Sequence, residues 1–279
     1  MKFLVTGANG YLGARIHEDL GRAFEVSGTF HRVQLSDGLI QLDITDREAS
    51  RSVFSKVGPD VIVHAAAVPT AALSNKDPEY ARNVNVAGAR NVAIAAEEIG
   101  AKVVYISTTA VLAPEAYGPY ARTKLAGEKQ ISAICKRHLI LRLGLVIGGS
   151  PNTTNDRFQN RLLNNITKGI PAVYDNQERY EVTWAGHVSE VIAAAEAGNI
   201  SGETMSVLVD GCRTRYQIAY DILKDFDIKV EGVAERKDLA GDYATTDELR
   251  RLGMPMHTYE DVIGHVVEET KAQLARAER

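Results

Sequence analysis

The sequence predicts an α/β fold: a doubly wound parallel sheet carrying a smaller, partly discontinuous C-terminal part. Three observations lead there. Strand-like runs alternate with helix-like stretches through the first half of the 279 residues. The clearest of these runs are apolar throughout, as strands covered on both faces must be. A glycine-rich loop, Gly7-Ala8-Asn9-Gly10-Tyr11-Leu12-Gly13, joins the first run to the first helix. Parallel neighbours require crossover connections, and helical crossovers cover both faces of such a sheet.

The elements follow in order. Lys2–Thr6 (KFLVT) reads as a buried strand and 14–22 as a helix. Glu25–Phe30 (EVSGTF) is a second candidate strand. Thr45-Asp46-Arg47-Glu48 has the spacing of a capping box, which predicts a helix over 46–57. Gly58-Pro59-Asp60 stops it, and 61–63 is a third strand. The Ala-rich stretch 79–99 predicts one helix ending at Gly100, where a glycine cap belongs. A fourth strand (103–107, VVYIS), a helix (119–137) and a fifth strand (139–143, LILRL) come next. From about Gly148 the pattern loosens into a turn-rich stretch over 148–155. Helices are expected over 156–168 and 187–197, and a further buried strand over 204–209. No repeat or flexible linker interrupts the chain, so the second part should pack directly on the first.

Composition narrows the function. With 45 % hydrophobic residues the chain can bury a core without a disulfide or metal staple. A formal net charge of −4 argues against nucleic acid as the main partner. No run of about 18 apolar residues is present to span a membrane. The opening apolar stretch is too short for a signal peptide. Cys135 and Cys212 are too few for a zinc cluster or a disulfide framework, and fit reduced thiols in a cytoplasmic protein. The seven histidines form no His-x-x-x-His pair, so no metal site is expected, and His64 reads as structural or cleft-lining.

The glycine loop carries the first chemistry. Glycines at 7, 10 and 13 permit a tight turn, close approach of backbone to a pyrophosphate, and close helix–strand packing. Free N–H groups and the helix dipole then face the phosphates. The alternative is a glycine-rich turn without a ligand; the flanking strand and helix weigh for the dinucleotide and a Rossmann fold. The end of the second strand reads Thr29-Phe30-His31-Arg32, without the acid that binds a ribose 2′-hydroxyl. Arg32 can pair a 2′-phosphate, so NADP(H) is favoured over NAD(H), unless His31 and Arg32 are merely solvated.

Tyr120-Ala-Arg-Thr-Lys124 is a second signal. On a helix the phenol and the ammonium share a face, and a nearby cation favours phenolate. Tyr120 would then donate and accept a proton near neutral pH. Tyr220-Asp-Ile-Leu-Lys224 has the same spacing but lies late in the chain and reads as structural. Only Tyr120 follows the fourth strand, whose end, Ser107-Thr108-Thr109, sets hydroxyls at the carboxyl edge where ligands of such sheets bind.

With these motifs in order, the chain resembles the extended short-chain dehydrogenase/reductase superfamily. Within it, the likeness is greatest to the dTDP-4-dehydrorhamnose reductase family, with its related regulatory subunit of methionine adenosyltransferase. The resemblance rests on 5–13 (VTGANGYLG), 42–46 (LDITD), 59–67 (PDVIVHAAA), 83–88 (NVNVAG), 106–108 (IST) and 120–128 (YARTKLAGE). It implies that Thr108 hydrogen-bonds a substrate carbonyl, that Tyr120 passes it a proton, and that Lys124 holds the nicotinamide ribose. It implies that Asp43 and Ile44 lie at the adenine, that Ala65, Ala66 and Ala67 line the cofactor cleft, and that Asn85 braces the site. The phosphate loop would contribute Gly7, Asn9, Gly10, Tyr11, Leu12 and Gly13. Residues 1–150 would form the NADP-binding part, with 184–209 returning to it, and 151–279 would mainly bind substrate.

The implied activity is NADPH-dependent reduction of a keto group on a nucleotide-activated sugar. The alternatives are an NAD-dependent sugar-nucleotide epimerase or dehydratase, and a non-enzymatic NADP-binding regulatory subunit. The chain departs from the family after Ser107-Thr108: the usual S-T-D-Y-V-F reads Ser107-Thr108-Thr109-Ala110-Val111-Leu112, and the segment to Tyr120 is short. Where the family has G-S-P-T, this chain has Tyr180-Glu181-Val182-Thr183. Arg157, Arg161, Arg179, Arg213 and Arg215 offer paired donors for a diphosphate. Helix pairs beside such sheets often dimerise in this superfamily, so the resemblance leaves room for a homodimer.

Overall fold

Residues 1–235 and 244–277 are described by a computed structural model; 236–243 and 278–279, within the expected substrate part, lie outside the described residues. The chain runs β1 (Lys2–Thr6), α1 (Tyr11–Gly21), β2 (Glu25–Phe30), β3 (Ile40–Gln41), α2 (Arg47–Val57) and β4 (Val61–His64). It continues through α3 (Ala71–Lys76), α4 (Pro78–Arg82), a π-helical turn (Asn83–Gly88), α5 (Ala89–Glu98), β5 (Lys102–Thr108), α6 (Pro114–Ile134) and β6 (His138–Leu143).

The continuous apolar runs have a simple cause. Seven strands form one sheet in the order β10-β6-β5-β4-β1-β2-β3, β10 being Glu203–Val207. Every pairing in it is parallel. Side chains alternate faces. Phe3, Val5, Val61 and Val63 join one core with α1, while Leu4 and Ile62 join another with Phe54, Val92 and Ile131. Burying each such side chain contributes about 1.5–3 kcal/mol.

Four departures from the sequence reading have local reasons. Asp46, not Thr45, caps α2, its carboxylate accepting from Ala49 N at 2.9 Å. Thr45 instead turns to Asp43, so the anticipated box does not form. The single helix expected over 79–99 is divided by the π-helical turn, an insertion that often marks functional positions. α6 starts before the expected 119, and is broken at Gly118 (φ 63, ψ −146), so Pro119 opens its second piece. β3, two residues long, carries too little pattern to be anticipated.

The second part contains β7 (Leu145–Ile147), α7 (Phe158–Lys168), β8 (Ala172–Asp175), β9 (Arg179–Trp184), α8 (Ala185–Ala197), then β10. β11 (Cys212–Thr214), α9 (Arg215–Leu223), β12 (Val230–Val233), α10 (Asp247–Arg251) and α11 (Tyr259–Ala277) follow. β10 pairs with β6, and α8 packs on α1, so this stretch re-enters the large sheet. Elsewhere β9 lies between β7 and β11, β8 pairs with β12, and a separate core gathers Ile147, Phe158, Leu162, Val182, Ile218, Ile222 and Val262.

Hydrogen bonds stitch the 148–152 turn to the glycine loop. Tyr11 OH donates to Gly148 O, Ser150 Oγ to Tyr11 O at 2.6 Å, and Asn152 Nδ2 to Asn9 O at 2.6 Å. Arg15 bridges Gly149 O at 2.9 Å and Glu269 Oε1 at 2.8 Å. No described helix is long and apolar enough to cross a membrane.

Candidate active site

The glycine loop is shaped by close backbone contact. Gly7 has φ +71, and a Cβ there would lie 2.9 Å from Ala66 Cα. A Cβ on Gly13 would lie 2.1 Å from Gly7 O, and one on Gly10 3.1 Å from it. α1 begins at this cradle without a side-chain cap and without an acid in its first turn. Its orphan N–H groups therefore suit a phosphate, and the residues present fit a dinucleotide. Ala65, Ala66 and Ala67 are half-buried beside it. Asn9 spends its amide on Val33 O and Leu35 N, tying the loop to the segment after β2. Tyr11 is buried with its phenol on Gly148, so its side chain joins the two parts instead of lining the cleft, and Leu12 packs at the core margin.

At the end of β2 the fold adds something the local sequence lacks. His31 Nε2 lies 3.3 Å from Asp43 Oδ2. An acid absent from 29–32 is thus delivered from the turn after β3. Burial would raise the Asp43 carboxyl, but hydrogen bonds from Thr45 and the neighbouring His31 outweigh it and hold it below its ordinary value. Ile44 packs where a Cβ on Gly88 would stand, 2.8 Å from Ile44 Cδ1, and Asn91 Nδ2 donates to Ile44 O at 3.1 Å. Arg32 is exposed.

The catalytic candidates meet at the carboxyl edge of β5. Thr108 ends that strand, and Tyr120 follows Pro119 at the start of the second piece of α6. The Thr108 side chain lies close enough to the Tyr120 phenol to act on it. Burial raises the Tyr120 phenol above its ordinary value, while Arg157 and Thr108 pull it down. This corrects the expectation that Lys124 lowers it: the cation acting on Tyr120 is Arg157. Lys124 points elsewhere, donating to Ile106 O at 2.7 Å over the Tyr105 ring. Burial brings its ammonium down to about 7, with Glu128 opposing.

Asn85, in the π-helical turn, is buried. Its Oδ1 accepts from Val68 N at 2.8 Å, and its Nδ2 donates to Thr123 Oγ1 at 3.1 Å. Its amide therefore braces the 65–68 loop against α6. His64 is buried, with Nδ1 2.8 Å from Thr6 Oγ1; burial and then Lys124 lower it to about 3, so it stays neutral. Among the described residues no group of three metal-ligating side chains is placed to hold an ion. An open groove of about 820 Å³ on the outer helical face, lined by Asp77, Tyr80, Arg82 and Arg90 among others, contains none of the expected site residues.

Several contributors escaped sequence reading. Glu128 receives Arg142 at 3.0 and 2.7 Å and Ser107 Oγ at 2.5 Å, a buried network that fixes α6 on β5 and β6. Its i, i+4 spacing from Lys124 was the available signal. Of the five arginines, Arg161 is paired with Asp156 at 2.6 Å, Arg213 lies over Tyr259 at 4.4 Å and Arg215 over Tyr180 at 4.6 Å. Arg157 is the one whose charge reaches Tyr120. Trp184 is buried, stacked on His265 at 4.4 Å, with Nε1 3.1 Å from Glu269.

The family model described as "RmlD substrate binding domain" matches residues 1–241. The chain belongs to this family. The dTDP-4-dehydrorhamnose reductase of Escherichia coli K12 is 31 % identical over 164 residues, 54 % of this chain and 54 % of that protein. Methionine adenosyltransferase 2 subunit beta of Danio rerio is 28 % identical over 159 residues, 53 % of this chain and 48 % of that protein. The chain spans about half the length of the curated relatives it matches.

A Bacillus anthracis dTDP-4-dehydrorhamnose reductase, solved in complex with NADP, superposes with TM-score 0.79 at 22 % identity, covering 96 % of this chain and 98 % of that one. A Thermus thermophilus UDP-glucose 4-epimerase with NAD gives TM-score 0.80 at 22 % identity, covering 97 % and 99 %. Against the RmlD pattern S-T-D-Y, this chain's Thr109 hydroxyl donates to Glu181 Oε2 at 3.0 Å. An acid thus stands beside position 109 after all, supplied by β9.

Proposed function

We propose that this protein reduces a keto group on a nucleotide-activated sugar, using NADPH. The observation that carries the reading is the placing of Thr108 and Tyr120 together at the carboxyl edge of the sheet, in a fold whose uncapped first helix start fits a pyrophosphate. Gly7, Gly10, Gly13 and the 65–67 alanines would hold the cofactor. His31, Arg32, Asp43 and Ile44 would meet its adenosine end, and Lys124 its other ribose. Bound there, NADPH would supply the hydride.

The chain's own residues do the rest. Thr108 Oγ1 and Tyr120 Oη converge where a substrate oxygen could accept from both. Tyr120 Oη passes its proton to that oxygen as negative charge develops. Because burial raises the phenol, it is fully protonated at neutral pH, the state a reductase needs. Arg157, acting on the same phenol, favours the phenolate left behind. Asn85 supports the geometry from behind without touching the reacting atoms. Residues 1–150 with 184–209 serve the cofactor, and the remainder of 151–279 the substrate. The reading extends to a cytoplasmic homodimer without a nucleic-acid partner.

The test is NADPH oxidation, followed by absorbance, with a panel of 4-keto nucleotide sugars. Turnover by the wild type, lost in Tyr120→Phe, supports the reading. NADPH binding without turnover on any sugar overturns the catalytic part and favours the regulatory-subunit alternative. NAD copurifying with the chain would favour the epimerase alternative.

A further inference from the structure

Lys124 is a buried cation without a carboxylate partner of its own. It is 3 % exposed. The nearest acid, Glu128, is committed to Arg142 and Ser107. Among the described residues no ion pair reaches Lys124. A buried ammonium left alone is costly, so something must compensate it. Two groups do: the Ile106 carbonyl at 2.7 Å, and the face of Tyr105, whose centroid lies 4.2 Å from Nζ. An aromatic face attracts a cation most strongly where water is excluded.

Tyr105 is itself almost fully buried, at 1 % exposure, and its hydroxyl has no hydrogen-bond partner. The hydroxyl is thus not what the fold uses. Gly127 makes room for the ring: a Cβ there would stand 2.3 Å from Tyr105 Oη and 2.6 Å from Asn85 O. The groups around the pair are His64 from β4, at 5.6 Å from the Tyr105 ring, Glu128 from α6, and Tyr120 within electrostatic reach of Tyr105. His64 is held neutral and Tyr120 is protonated, so neither offers Lys124 an opposite charge.

We propose that Tyr105 is a positioning residue for Lys124: its ring face, not its hydroxyl, holds the ammonium at the carboxyl edge of the sheet. Its importance for turnover rests on the reductase reading above, in which Lys124 serves the reaction; its geometry does not. Gly127 belongs to the same device, as the absent side chain that lets the ring lie under the lysine.

The experiment is nuclear magnetic resonance of the full chain carrying lysine isotope-labelled at Cε, with the Lys124 signal assigned by its loss in Lys124→Met. Position 105 carries Tyr, then Phe, then phenylalanines bearing one, two and three fluorines. These keep the shape but drain the ring face of electron density. The proposal expects upfield-shifted Lys124 ε-protons in the Tyr and Phe forms. Across the fluorinated series the pH midpoint of Lys124 should fall stepwise, by about one unit in all. Tyr105→Leu should abolish the upfield shift; if that variant fails to fold, the fluorinated series still decides.

Equal midpoints across the series overturn the proposal, as does a Phe form that behaves like Tyr105→Leu. Failure of the reductase reading looks different: no sugar turns over, yet the fluorine series still slopes. Turnover with a flat series gives the converse.

Discussion

The large sheet and the β7–β9–β11 corner are both strand structures, yet they are held by different means. In the sheet, successive residues of β1 enter opposite cores, and Phe3, Leu4 and Val5 are all fully buried. Backbone contacts there leave no spare volume, as Gly13 against Gly7 shows. In the corner, β9 buries Val182, Thr183 and Trp184, leaves Tyr180 and Glu181 half-buried, and exposes Arg179. There the short ladders to β7 and β11 are supplemented by side chains: Arg215 over Tyr180, Arg213 over Tyr259, Thr109 on Glu181. The lesson is one of coverage: the sheet is buried on both faces, while the corner leaves half of its central strand only partly covered.

The largest expected effect tests whether the rigid edge carries the chemistry. Tyr120→Phe should lower sugar reduction by about two to four orders of magnitude while leaving the melting temperature unchanged. A parallel loss of stability would mean that the phenol is a structural brace instead.

The next probe concerns the sheet alone. His64 is lowered to about 3 from an ordinary 6.5, so between those values the unfolded chain binds a proton that the folded chain refuses. Stability should therefore fall as pH drops through that window, by up to about 5 kcal/mol, and be unaffected by this group above it. Denaturant titrations over the window should show a flatter acid limb in His64→Asn; an unchanged slope would break the assignment.

Crowding is tested by a pair of glycines. Gly13→Ala, with its Cβ 2.1 Å from Gly7 O, should cost about 1–3 kcal/mol and abolish NADPH binding in a fluorescence titration. Gly169→Ala has the same left-handed handicap that Gly7 carries, φ +61, but open space around it, and should cost about 1 kcal/mol with NADPH binding kept. Equal losses of binding would erase the contrast between the two regions. The smallest effect belongs to the Arg161–Asp156 pair, whose side chains are 53 % and 74 % exposed. Thermal melts of Arg161→Gln should move by less than about 0.5 kcal/mol.

The same contrast explains what could be read from the sequence. The strands of the sheet announce themselves because burial on both faces demands unbroken apolar runs, and Gly58 and Gly100 mark helix ends by their left-handed backbones. Tyr120 and Lys124 were legible through spacing and place. What they do with one another was not, because the direction of Lys124 depends on Tyr105 and Gly127, residues from another element and another helical turn. Asp43 reaches His31 only through β3, two residues with no periodicity to detect. The pieces of β7, β8, β11 and β12 are three or four residues long, too short for alternation to separate from chance. Thr109 could be seen to replace an acid; that Glu181 restores one requires the β9 pairing.

Glu269 of α11 accepts from Gly149 N at 2.6 Å and from Trp184, and meets Arg15 of α1. During synthesis, α11 leaves the ribosome after every other described element. The turn that fastens onto the phosphate loop thus waits for a partner made 120 residues later. Until then the nascent sheet can pair its strands, but the clasp between its first helix and the 148–152 turn lacks its central carboxylate. Contacts of such long sequence separation form late and slowly. Nucleotide binding should accordingly mature as the final event of folding, and a ribosome-stalled chain released before Glu269 should bind NADPH more weakly than the full chain even with its glycine loop complete.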